Sequence, residues 1–263
     1  MSKQPLSNEK LYLYAIVSGL DGAILGPIGL EGDTVYSMTS GRVSAVVSGV
    51  PERLRPERRH LAAHHAVLKR LMAETDAVLP VAFGTVADGR KALCQILSRN
   101  HKAVLDTLRQ VTRCVEMGLR VTWDVPNIFE HFVDTHPELR AARDRFLTGH
   151  REPSQNDKIE VGRLFDRLLS EDRETHAERV EEILAPRCVE TKRNTPRNER
   201  EVIHLACLVK RDRQEEFEAA VFEAAQLFDN RYAFDYTGPW PPHNFADMAL
   251  DFKPGRAPVQ ALV

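Results

Sequence analysis

The sequence predicts an α+β fold in two domains, with a charged helical segment between them and a short tail at the end. Three observations lead there. Runs rich in β-forming residues, at 11–17, 35–47 and 202–209, mark strands. Apolar residues at helical spacing mark helices, as in Leu61, Leu68, Leu71 and Met72, or Phe217, Val221, Ala224 and Phe228. Strands and helices in this order suggest an α+β arrangement, with helices on one face of an antiparallel sheet.

Taken in order, the first strand is 11–17. Gly19, Gly22, Gly26, Pro27 and Gly29 then interrupt regular structure. A hairpin follows, with arms 35–39 and 42–47 and a turn at Ser40-Gly41. Pro56 opens a helix that runs to about Asp76. Residues 78–83 form a strand closed by Gly84. A long helix spans 88–116, with Gly118 as its left-handed cap. Residues 119–125 return to the sheet. This order gives an N-terminal domain of ferredoxin-like type at 1–125.

Residues 126–190 are helical and charged. Asn127 caps one helix, with Ile128, Phe132, Leu139 and Phe146 on its stripe, and Gly149 and Pro153 separate it from a second. Residues 170–178 are almost wholly polar, which predicts a stretch that is solvated or covers another surface only thinly. A polar linker at 191–200 leads to a C-terminal α+β unit at 191–253, a modified ferredoxin-like plan. It contains strand 202–209, helix 215–229, strand 231–237 and a last apolar segment from Phe245 to Phe252. The tail at 254–263 is too short and proline-broken to hold structure alone.

Bulk properties exclude several function classes. With 36 basic and 38 acidic residues the formal net charge is -2, so nothing in the overall charge attracts nucleic acid or an anionic membrane. No apolar run is long enough to span a bilayer, and the first ten residues are polar. Cys94, Cys114, Cys188 and Cys207 stand far apart and read as free thiols in a reducing, cytoplasmic setting.

Candidate chemistry is sparse. His60 and His64 lie four apart on one helix with His65 adjacent, a spacing that presents two imidazoles to one metal. No third ligand is evident, and His64 falls near the Leu61–Leu68 line, where a core or boundary role explains it. There is no nucleophile elbow and no phosphate loop. A basic cluster, Arg53, Arg55, Arg58, Arg59, Lys69 and Arg70, suits an acidic partner surface but lacks the aromatics of a single-strand platform.

The most distinctive feature lies near the end. Seven of the 18 aromatic residues fall between Phe228 and Phe252, around Tyr236-Thr237-Gly238-Pro239-Trp240-Pro241-Pro242-His243-Asn244-Phe245. Three prolines stiffen this segment. Two readings stand: Tyr236, Trp240 and Phe245 form a recognition surface, or Trp240 and Phe245 close the core. Direct succession to strand 231–237 favours Trp240 as a core plug.

That segment resembles the C-terminal signature of the GvpL/GvpF family of gas vesicle proteins. Leu11-Tyr12-Leu13-Tyr14-Ala15-Ile16-Val17 is similar to the family's opening strand, and Leu79-Pro80-Val81-Ala82-Phe83-Gly84-Thr85-Val86 to its second signature. The resemblance covers nearly the whole chain. It implies two α+β domains, the first ferredoxin-like. It also implies a non-catalytic accessory or minor shell component, located in the cytoplasm and at the gas vesicle. The expected partners are the major shell protein GvpA and other accessory proteins, with no cofactor and no catalytic residue. The alternative is a metal-dependent enzyme built on His60, His64 and His65. Tyr236, Trp240, Phe245, Arg58 and Arg59 are the candidate partner contacts.

Overall fold

The computed structural model describes residues 10–51, 53–147 and 154–246. The expected tail at 254–263, Phe252, and the separators Gly149 and Pro153 lie outside the described residues, as does the side chain of Phe146. The chain is a mixture of helices and antiparallel strands in two compact units. One comprises Met1–Glu116 with Pro239–Val263, the other Met117–Gly238. The expected boundaries at 125/126 and 190/191 both fall inside the second unit.

In the first unit, β1 (Leu11–Val17) is buried at every position, which is why its sequence is almost continuously apolar instead of alternating. It is flanked by β4 (Val43–Gly49) and β5 (Val78–Pro80), with β3 (Val35–Ser40) and β2 (Ile24–Gly26) beyond β4. The short β6 (Val86–Ala87) also pairs with β1. The β3–β4 hairpin turns at Gly41, whose φ of +65° suits glycine. Helix α1 (Arg58–Glu74) buries His60, His64, Val67, Leu68 and Leu71. Pro56 stands just outside it, because Glu57 takes the cap position.

The expected helix at 88–116 is two helices and the start of a strand. α2 (Arg90–Arg99) stops at Asn100, α3 (His101–Gln110) ends at Val111, and Arg113 adopts a left-handed φ of +54° that turns the chain. β7 (Cys114–Trp123) begins there, so Val115 belongs to a strand and Gly118 is no helix cap. Gly118 lies in mid-strand, where an added Cβ would come within 3.0 Å of Thr237 Oγ1. Val111 and Val115 happen to continue the helical stripe, and that coincidence hid the turn.

The second unit follows β7 with α4 (Ile128–Thr135), α5 (Pro137–Leu147) and α6 (Gln155–Leu184). Asn127 caps α4 by accepting the Glu130 N–H at 3.2 Å, as expected. Pro137 starts a new helix and divides the single one anticipated. Ser154 and Asp157 form a reciprocal capping box on α6. The polar middle of α6 is not simply solvated. The Arg173 guanidinium donates to the carbonyls of Asn198, Glu199 and Glu201 and lies 5.7 Å from the Trp123 ring centre. The expected linker at 191–200 begins as strand β8 (Glu190–Arg193), paired antiparallel with β9 (Glu201–Lys210). Helix α7 (Gln214–Ala225) and β10 (Tyr232–Trp240) complete the unit, and its strand order is β10-β7-β9-β8.

Candidate functional site

The three histidines of α1 do not converge. His60 is fully buried and its Nδ1 lies 2.9 Å from the Arg55 carbonyl, tying the incoming loop to the helix. His65 faces Trp240, with ring centres 5.3 Å apart. His64 sits in the core, where Tyr12 Oη meets its Nδ1 at 2.9 Å. Among the described residues, no group of three or more His, Cys, Asp or Glu is placed to hold a metal ion. The metal-enzyme alternative therefore has no support in the geometry.

The cluster around His64 has a definite hydrogen-bond logic. The Gly84 N–H donates to Tyr12 Oη at 3.2 Å, so Tyr12 can spend its own proton on His64 Nδ1. His64 is then the neutral tautomer protonated at Nε2. The Tyr14 ring stacks on it at 5.5 Å, and the Phe83 ring meets it edge-on at 5.8 Å. Tyr14 Oη accepts the Leu30 N–H at 2.9 Å and lies 3.0 Å from Ser48 Oγ. A bulge between Leu13 and Ala15 leaves Tyr14 without a partner residue in β4.

Burial lowers the His64 pKa to about 4; His243 and His65 push the same way, and the Val81 carbonyl opposes them. Desolvation likewise raises both tyrosines. The cluster joins β1, α1 and the 79–86 segment through buried, mutually hydrogen-bonded polar groups. Its role is to fix those three segments in one register.

The proline-rich segment from Pro239 onward belongs to the first unit. Pro241, Pro242 and Phe245 are buried, and Phe245 is 3% exposed. Glu116, itself 7% exposed, accepts the Asn244 backbone N–H at 2.7 Å and the Asn244 side-chain amide at 2.6 Å. Trp240 is 40% exposed, which corrects the expectation that it plugs the core. Phe245 takes that role, because the prolines carry the chain past Trp240 before it turns inward. Of the two expected core residues, Phe245 is buried and Trp240 is not.

The remaining candidates are separate. Tyr236, 37% exposed, lies on β10 of the second unit with its ring 6.4 Å from that of Phe217. Arg58 and Arg59 occupy the first turn of α1, a position the helix dipole disfavours for cations. Arg59 is partly answered by Glu57 at 2.8 Å and Glu31 at 3.7 Å. Sequence reasoning named Tyr12, Tyr14 and Asn244 only as members of longer segments, with no role of their own, and did not single out Glu116. The available signal was two hydroxyls in an otherwise apolar strand, since buried phenols need partners.

In the second unit, an open depression of 620 Å³ is lined by Pro126, Asn127, Phe129, Asn198 and Arg200 among others. The Arg200 guanidinium is spent on the Val125 and Pro126 carbonyls. Nearby, Arg120 pairs with the buried Glu201 at 2.6 Å, and Glu201 also accepts the Arg197 N–H at 2.6 Å. These bonds fix the loop before β9 and offer no reactive centre. No helix among the described residues is long and apolar enough to cross a membrane.

Residues 10–247 match the family described as gas vesicle synthesis protein GvpL/GvpF. Gas vesicle protein F of Streptomyces sp. is 27% identical over 90% of this chain and 99% of its own length. Gas vesicle protein L1 of Halobacterium salinarum is 25% identical over 93% of this chain and 92% of its own. The crystal structure of GvpF from Anabaena sp. superimposes with a TM-score of 0.78 at 24% identity, over 91% of this chain and 99% of that one. GvpF from Microcystis aeruginosa gives 0.77 at 22% identity, over 91% and 99%. The match to the family spans nearly every described residue and includes all three signature segments, so this chain belongs to the gas vesicle GvpL/GvpF family.

Proposed function

We propose that this chain serves gas vesicle assembly in the cytoplasm by binding the major shell protein GvpA and other accessory proteins, and that it does so without catalysis. A shell that excludes water needs an apolar, aggregation-prone subunit. A partner that covers the apolar face of that subunit until it joins the wall would serve assembly. The observation that carries the reading is Trp240: a large indole, 40% exposed, on a segment fixed by two buried prolines, Phe245 and the Glu116–Asn244 bonds. Rigid exposed Trp is the side chain that binding hot spots favour, because it supplies area at little entropic cost. Arg58 and Arg59 add a basic contact on the same unit, and Tyr236 a contact on the second.

The same proposal includes a ferredoxin-like plan. Its best support is in the second unit, where the order β7, helices, β8, β9, α7, β10 with strand order β10-β7-β9-β8 follows the split βαβ-βαβ pattern. In the first unit four strands precede α1, which is a wider departure from it. Pull-down of purified chain with GvpA tests the binding role. Recovery of GvpA supports it, and no recovery across salt and detergent conditions contradicts it.

A further inference from the structure

We infer that the outer edge of β10, from Tyr232 to Thr237, takes an extended strand of GvpA, so that GvpA continues the four-stranded sheet. The inference rests on the proposed binding role and specifies how one contact is made.

β10 ends the sheet, with β7 on its inner side. The Asp124 N–H donates to the Arg231 carbonyl at 2.6 Å, and Gly118 faces Thr237. Both contacts fall on one antiparallel register. In that register Arg231, Ala233, Asp235 and Thr237 bond toward β7. The N–H and C=O groups of Phe234 and Tyr236 therefore point away from the sheet, as does the Tyr232 carbonyl. The Tyr232 N–H is taken by the Asp229 carbonyl at 3.2 Å. Only another extended backbone matches such a row of alternating donors and acceptors.

The opposite edge shows what a protected strand looks like in this sheet. β8 carries Glu190, Lys192 and Arg193, and Arg193 is held by Glu181 at 2.5 Å and Glu174 at 2.7 Å. Among the described residues, the stretch from Tyr232 to Thr237 carries no lysine or arginine. Its one charge is Asp235, and its alternate residues are Tyr232, Phe234 and Tyr236. Phe234 and Tyr236 lie on the helix side, with ring centres 5.0 Å from Phe228 and 6.4 Å from Phe217. A partner strand would set apolar side chains beside those rings and, on the other face, a Lys or Arg beside Asp235. Gly238, with φ of +130°, and Pro239 end the available edge, so the added segment is short.

The test compares wild type, Tyr236→Ala and Tyr236→Pro for binding to GvpA. Proline removes an N–H that points away from β7, whereas alanine removes the side chain and keeps that N–H. The expected result is binding about tenfold weaker for Tyr236→Pro than for Tyr236→Ala, a loss of about 1.4 kcal/mol. Equal binding by the two variants, with wild type binding GvpA, overturns the strand-addition inference and leaves the proposed function standing. No binding by wild type overturns both. Hydrogen exchange on wild type guards against misfolding of the proline variant. The Phe234 and Tyr236 amides should slow when GvpA is added, and unchanged exchange there contradicts the inference. If those amides are already protected and the wild type alone self-associates through this edge, a second copy is the occupant and the inference fails.

Discussion

Glu116 holds Asn244 with both carboxylate oxygens, Oε2 on the backbone N–H and Oε1 on the side-chain amide, across 128 positions of sequence. This bond pair ties the proline-rich segment to β7. Hydrogen bonds to a charged group contribute about 1.5–3 kcal/mol each in mutational series. Glu116→Ala should therefore lower stability by at least about 2 kcal/mol, and Glu116→Gln by less, because the amide retains one acceptor. Urea denaturation of the three proteins checks this, and equal midpoints would show that the segment is held by Phe245 alone.

Burial of His64 makes acid sensitivity predictable. Its folded pKa of about 4 lies below the ordinary 6.5, so the unfolded chain binds this proton more readily than the folded one. The stability contributed by neutral His64 is complete above pH 6.5 and is lost progressively as pH falls from there toward 4. The shift corresponds to about 3 kcal/mol at most. His243, His131, His176 and His204 are lowered by burial too and add to the same slope. Melting temperature should fall between pH 7 and pH 5, and His64→Gln should flatten that dependence while lowering stability at pH 7. An unchanged slope in the variant would remove His64 from the account.

Gly29 should resist substitution for a steric reason and not a conformational one. Its φ is -76°, ordinary for any residue, but an added Cβ would lie 2.8 Å from both the Asp33 carbonyl and Tyr14 Oη. Gly29→Ala should cost about 2–3 kcal/mol, the scale of an overpacked core. Gly19→Ala, where φ is +80° and nothing lies within 4 Å, should cost about 1 kcal/mol from backbone strain alone. Thermal unfolding of the pair separates the two effects, and equal losses would contradict the packing argument.

Much of this was legible in the sequence, and the failures have physical causes. Strand β1 and the β3–β4 hairpin announce themselves because burial on both faces and a glycine turn leave strong local signals. The break between α2 and α3 does not, since Asn100 interrupts a stripe that Val104 and Leu108 resume. β8 was hidden because an edge strand of Glu, Thr, Lys and Arg has the composition of a linker; its pairing with β9 is a tertiary fact. The histidine spacing on α1 was real but uninformative, as each imidazole answers a neighbour distant in sequence: Tyr12, Arg55 or Trp240. The family signatures were readable as patterns. That two of them meet at one buried cluster with His64 required the fold.

The exposure of Trp240 and burial of Phe245 give the most direct test. Binding of GvpA should be measured for wild type, Trp240→Ala and Phe245→Ala alongside their melting temperatures. The account predicts that Trp240→Ala keeps nearly all its stability and loses about 2 kcal/mol or more of binding. It predicts that Phe245→Ala loses about 3–5 kcal/mol of stability, as deletion of a buried ring does. A Trp240→Ala protein that is equally stable and binds GvpA as tightly as wild type would contradict the claim that this ring is the partner anchor.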